Sequence, residues 1–189
     1  MGAFDELDRP QAGSYMQAAY PERGREALRR GRVSVAKAEY FLTVCTDGRC
    51  PGLTASAVAA AVMEEGQRME LDATWRVRCA VIMPDHLHLL VVLGERLALG
   101  QAVARLKAKT KGILQTFDPR LRWERDFFDR RVRPDDERLS LFLYIFFNPY
   151  RAGLCKRAES WPWFRCRDND WEWFKEMLDA DRPAPEWLV

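Results

Sequence analysis

The sequence predicts an α+β protein in which an antiparallel sheet carries helices packed mainly on one face. Three observations lead there. Two apolar strand-like runs flank a Pro-Asp pair at 84–85, a β-branched and aromatic run lies near residue 40, and the segments between carry apolar residues at helical spacing. Residues 1–36 lack strong periodicity and include Pro10, Gly13, Pro21, Gly24 and Gly31, so they read as a basic arm with one short helix near 22–30. Tyr40 to Thr46 is the first strand, broken by Asp47-Gly48. Thr54 to Gln67 is Ala-rich and reads as a helix with Thr54 as its N-cap. Trp75–Met83 and His86–Leu93 then form a hairpin through the Pro84-Asp85 turn.

Ala98 to Phe117 places Leu99, Ala102, Val103, Leu106, Ile113, Leu114 and Phe117 at helical intervals. Phe127 to Arg133 is a further strand. The acids of Pro134-Asp135-Asp136-Glu137 suit a helix start, and that helix should run to about Phe147, because Pro149 disfavours helical geometry at Asn148. Its apolar stripe is expected at Leu139, Phe142, Leu143 and Phe146. The chain thus divides into the arm, a folded domain over 37–155 and a Trp-rich, acidic tail over 156–189. No internal repeat interrupts this plan.

With 189 residues, 48% of them hydrophobic and 12% aromatic, the chain can fill a core. No apolar run nears the roughly 20 residues of a membrane span, and Met1 to Glu6 does not open a secretory signal, so a cytoplasmic protein without a membrane partner is expected. Five cysteines without a CxxC pair read as free thiols. The net charge of +2 conceals basic stretches at 21–37 and 105–133 against an acidic end, a layout suited to a polyanion bound on one face.

His86 and His88 are the chain's two histidines. At i and i+2 in a strand they share one face, so two imidazoles can converge on a single cation. The plainer alternative is a pair of hydrogen-bonded histidines on a sheet surface. In the last core helix Tyr144 and Asn148 lie one turn apart, where a phenol and an amide oxygen could flank one metal. The alternative here is a half-buried aromatic and a helix-end amide. Tyr150, beyond the proline, is a rival nucleophile.

Met83-Pro84-Asp85-His86-Leu87-His88-Leu89-Leu90 resembles the signature of the HUH endonucleases, where U is a bulky apolar residue. Tyr144-Ile145-Phe146-Phe147-Asn148-Pro149-Tyr150-Arg151-Ala152-Gly153-Leu154 resembles the tyrosine-helix motif of the REP-associated tyrosine transposases, one-tyrosine members of that superfamily. Arg29-Arg30-Gly31-Arg32, Phe128 to Arg133 and Trp161-Pro162-Trp163 also match that group, and the resemblance spans roughly residues 28–166. It implies a ferredoxin-like core that cleaves single-stranded DNA beside a short palindromic hairpin, in the cytoplasm and associated with the nucleoid. It further implies His86, His88 and Asn148 as ligands of Mg²⁺ or Mn²⁺. Tyr144 would be the nucleophile, forming a 5′-phosphotyrosine, in a monomer rather than a dimer. Asp85 stands where the group commonly has Asn, and an extra carboxylate there could join or tune the metal shell.

Single strands are held by cationic grooves and aromatic faces. The candidates are Arg29, Arg30 and Arg32, then Lys107, Lys109 and Lys111, then Arg130, Arg131 and Arg133, with Arg151 from the tyrosine motif. Trp161 and Trp163 could stack on bases or form a packing clamp. Two other readings compete: a descendant that binds DNA hairpins without cutting, and an unrelated zinc hydrolase using the histidines and Asp85.

Overall fold

The computed structural model describes residues 34–133, 138–156, 158–176 and 178. In chain order these form β1 (Glu39–Cys45), a 3₁₀ turn (Asp47–Arg49), α1 (Ser56–Leu71), β2 (Trp75–Ile82), β3 (His86–Leu93) and α2 (Leu99–Phe117). Then follow β4 (Phe128–Val132), α3 (Arg138–Arg151), β5 (Phe164–Cys166) and α4 (Asp168–Glu176). The sheet order is β4-β1-β3-β2-β5, and every neighbouring pair is antiparallel. The first four strands with α1 and α2 reproduce the β-α-β-β-α-β order of a ferredoxin-like core.

Both faces of the sheet are covered. Tyr40, Leu42 and Val44 of β1 and Leu87, Leu89, Val91 and Leu93 of β3 pack against α1 and α2. The alternate residues Phe41 and Leu90, with Cys79 and Val81 of β2, meet Phe142, Ile145 and Phe146 of α3 and Phe174 of α4. The two central strands are therefore buried on both sides and read as continuous apolar runs rather than alternating ones. That is why the sequence pattern suggested helices mainly on one face: it cannot say which later helix covers the second.

Several element ends moved. Ala55, not Thr54, is the N-cap of α1, without a side-chain cap bond, and the helix runs on to Leu71. The helix expected to stop near Phe147 continues through Asn148 and Pro149 to Arg151. It ends where Leu154 N–H donates to the Pro149 carbonyl at 2.9 Å and Gly153 N–H to the Tyr150 carbonyl at 3.1 Å, with Gly153 at φ 69°. This is a Schellman closure. Pro149 and Tyr150 are both buried there, and that burial with the closed C-terminus offsets the helical bond proline cannot donate. The buried stripe is accordingly Phe142, Ile145, Phe146 and Pro149, while Leu139 and Leu143 are only half-buried.

The segment from residue 156 onward supplies a strand and a helix of this fold. Asp170 of α4 accepts from the Arg78 guanidinium, which also donates to Glu39 at 2.9 Å, while Arg138 donates to Glu39 at 3.0 Å. Phe174 is fully buried. Phe174→Leu is expected to lower unfolding free energy by about 1–2 kcal/mol, read by urea denaturation; a change below about 0.5 kcal/mol would place α4 outside the cooperative unit. All five cysteines are free thiols. Among the described residues, no helix is long and apolar enough to cross a membrane.

Candidate active site

β3 is the middle strand of five, and its register fixes what surrounds the histidines. His88 pairs with Thr43 of β1 and Val81 of β2, and His86 with Cys45. Both imidazoles lie on the face that α3 covers. Their Nε2 atoms are 3.1 Å apart. Each Nδ1 is engaged from behind: that of His88 with the Thr43 hydroxyl at 2.9 Å, and that of His86 with Asp85 Oδ1 at 2.6 Å. Phe41 stacks on the His88 ring, centroids 5.4 Å apart and planes 19° from parallel. The rings are thus held, and the two Nε2 atoms point at each other.

Burial keeps both imidazoles neutral near pH 7. His88 is 2% exposed, and burial first, then the neighbouring imidazole and the Arg49 charge, depress its pKa well below the ordinary value. His86 is lowered by burial too, with the Asp85 carboxylate opposing. In the tautomer with Nδ1–H turned to Thr43 and Asp85, each ring would present its Nε2 lone pair to a cation.

α3 brings Tyr144 over this pair. Its hydroxyl lies 3.3 Å from His88 Nε2, and its ring meets His88 and Phe41 edge-on. Burial raises the phenol's pKa, while the neighbouring Asn148 amide and the charges of Arg151 and Arg49 pull it down. The period of the helix explains the Asn148 contact, one turn on.

The donor set fits a divalent cation. Two ligands each about 2.1 Å from one ion and roughly 90–110° apart lie about 3.0–3.4 Å from each other, which brackets the separation of the two Nε2 atoms. Among the described residues no third histidine, cysteine or carboxylate joins them. The Asn148 amide, water or a phosphate oxygen would complete the shell. Asp85 reaches the back of His86 with Oδ1 and the Arg49 guanidinium with Oδ2 at 3.4 Å, so it supports the imidazole from behind rather than facing the gap between the two Nε2 atoms.

The basic candidates scatter. Arg29, Arg30 and Arg32 lie outside the described residues. Lys107 donates to the carbonyls of Glu124, Arg125 and Asp126 and lies over the Phe127 ring, so it ties the loop before β4 to α2. Lys109 and Lys111 are exposed on α2, on the layer opposite the histidines. In β4, Arg130 is paired with Phe41 and belongs to the histidine face and Arg131 is paired with Tyr40 on the other, while Arg133, just past the strand, is exposed. Arg151 ends α3, close enough for its charge to act on the phenol.

Trp161 and Trp163 form a packing clamp. Trp161 donates to the Ile82 carbonyl at 2.9 Å and packs on the α3 side, whereas Trp163 packs on the α1 side. Tyr150 is 7% exposed, its hydroxyl donated to the Glu159 carbonyl at 2.9 Å. The residue missed from the sequence is Arg49, whose one signal was its place in the break after β1.

A family model described as "Transposase IS200 like" matches residues 34–133, which spans both histidines and stops short of α3. The structure of a REP-associated tyrosine transposase bound to a REP hairpin superposes with a TM-score of 0.59 at 19% identity. That match covers 70% of this chain and 79% of the other. A second solved structure, a protein from Deinococcus radiodurans named as a transposase, gives a TM-score of 0.44 at 21% identity, covering 56% of this chain and 86% of its own. No curated protein matches the chain at a comparable level.

Proposed function

The chain belongs to the family of IS200-like transposases, and from that premise we propose that it is a metal-dependent single-strand DNA endonuclease and strand transferase of the REP-associated tyrosine type, with Tyr144 as nucleophile. One observation carries the reading: a phenol 3.3 Å from an imidazole nitrogen that itself lies 3.1 Å from a second. A surface histidine pair has no reason to be met by a tyrosine from a helix 56 residues away.

His86, His88 and the Asn148 amide would hold Mg²⁺ or Mn²⁺, which when bound withdraws charge from a phosphate oxygen. The chain's own groups do the rest. Tyr144 Oη attacks phosphorus, the P–O3′ bond breaks, and a 5′-phosphotyrosine and a 3′-OH result. The phenol's proton leaves to water as the departing 3′ oxygen takes one up. Asn148 and Arg151 favour the phenolate against the burial that opposes it. Storing the bond in an ester allows the 3′-OH to attack again, which is strand transfer rather than hydrolysis. The substrate is single-stranded DNA beside a hairpin, by analogy with the structural neighbour's ligand.

The test is a labelled hairpin oligonucleotide incubated with Mn²⁺ and resolved under denaturing conditions. A protein-linked DNA species that disappears with chelator supports the proposal; none with any of a panel of hairpins overturns it. Phosphate contacts should make binding salt-dependent. With Arg130, Arg133, Arg151 and the 29–32 cluster taking part, about 3–5 neutralised phosphates give a log–log slope of roughly −2 to −3.5 for a single strand. A flat titration would contradict this. Lys109→Ala and Lys111→Ala should each change affinity by less than about twofold, because they lie on the far layer.

A further inference from the structure

We propose that Arg49, carried on the turn after β1 and held by Asp85 beside the two imidazoles, receives a non-bridging oxygen of the phosphate that Tyr144 attacks. This rests on the reading of Tyr144 as the nucleophile.

The turn is built to hold that side chain in place. Gly48 and Arg49 both adopt left-handed backbone, at φ 60° and 56°. Glycine does so freely, but for arginine the conformation costs about 1–2 kcal/mol. Surrounding bonds enforce it. The Thr46 N–H donates to the Asp85 carbonyl at 2.9 Å, and its hydroxyl, with one proton to give, lies between the Cys50 and Asp85 carbonyls at 2.8 and 2.9 Å. Asp47 N–H donates to the Arg122 carbonyl at 2.7 Å, and Arg49 N–H to the Thr46 carbonyl at 3.1 Å. The turn is thereby clamped to the β2–β3 connection, one residue before His86. Among the described residues, two other non-glycine residues, Lys37 and Ala73, have positive φ, but neither lies at the site. Backbone strain retained at a chemical centre is what pre-positioning of a group leaves behind.

The guanidinium contacts Asp85 through one terminal nitrogen at 3.4 Å, and its side chain is 46% exposed. Arginine carries five N–H donors in a planar fork matched to phosphate oxygens. After burial and nearer groups, its charge bears on His86, His88 and Tyr144 alike. A cation held by the carboxylate that backs His86 stands at the edge of the site, where it can meet the charge that accumulates as the phosphoryl group is transferred. Asp85 then has two roles, with one oxygen orienting His86 and the other orienting Arg49.

The experiment separates this from the reading beneath it. In full-length Tyr144→Phe protein, a single uncharged methylphosphonate is walked along a hairpin-flanked strand and binding is measured at each position. One position is expected where neutralisation weakens binding about tenfold with Arg49 in place, with no penalty in Arg49→Gln and most of it restored in Arg49→Lys. In protein with Tyr144 intact, Arg49→Gln should slow adduct formation roughly 100-fold while Mn²⁺ affinity stays within about twofold. Identical penalty profiles with and without Arg49 would overturn the proposal. So would a loss of Mn²⁺ affinity that matches the loss of rate, since Arg49 would then act only through Asp85 and His86. Absence of any adduct in the unaltered protein removes the Tyr144 reading, and the methylphosphonate profile still decides whether Arg49 holds a phosphate.

Discussion

Tyr144→Phe is expected to abolish the covalent DNA adduct and to lower strand cleavage by about 10³-fold or more. The substitution deletes one oxygen. It removes the 3.3 Å contact to His88 Nε2 while keeping the ring that meets Phe41 and His88 edge-on. Stability should change by no more than about 1 kcal/mol, so a lost activity cannot be assigned to unfolding. The measurement is single-turnover adduct formation on denaturing gels, with thermal melting as the control. Tyr150→Phe is the paired comparison. Its hydroxyl is turned to the Glu159 carbonyl inside the α3 cluster, so adduct formation should persist. Cleavage by Tyr144→Phe at the parent rate, or an adduct lost only in Tyr150→Phe, would transfer the nucleophile's role away from Tyr144.

The second large effect concerns the cation. His86→Ala is expected to weaken Mn²⁺ binding and cleavage by at least about 100-fold, because one of the two nitrogens proposed to hold the ion is removed. His86 is the better choice for this variant, since it is only partly buried whereas His88 is 2% exposed and packed under Phe41. Asp85→Ala should cost less, about 10-fold to 100-fold, because it removes the group that fixes the ring and not the ligand itself. Calorimetric titration of Mn²⁺ into the full chain reads both. If Asp85→Ala were the more damaging of the two, the carboxylate would have to bind the ion directly, and its place behind Nδ1 would not be the working one.

Much of this site was legible before any coordinates. Strand period set His86 and His88 on one face, and helix period set Asn148 one turn beyond Tyr144. Both relations are local, fixed by backbone geometry within a few residues. The hairpin at Pro84-Asp85 was equally local, as was the helix read over 98–117, which begins at Leu99 with Ala98 as its N-cap. Where local rules were pressed too far they failed at identifiable places. Pro149 weakens a helix but does not end one in which it and Tyr150 are buried and whose C-terminus closes at Gly153. A lysine read as part of a cationic face, Lys107, turned out to donate to three loop carbonyls 17 to 19 residues away.

The sequence by itself determined the chemical parts and their nearest-neighbour relations: two imidazoles side by side, a phenol beside an amide, and the α+β order of elements. Only the tertiary structure decided that β3 lies mid-sheet, that α3 covers its histidine face while α1 and α2 take the other, and that the turn after β1 carries Arg49 to Asp85. It also split the basic candidates between the two layers and put the two tryptophans on opposite sides of the sheet. The reason is physical. Periodicity states which side chains share a face of one element, whereas which faces meet is set by burial summed over both sides of the sheet, a property no short window of residues contains.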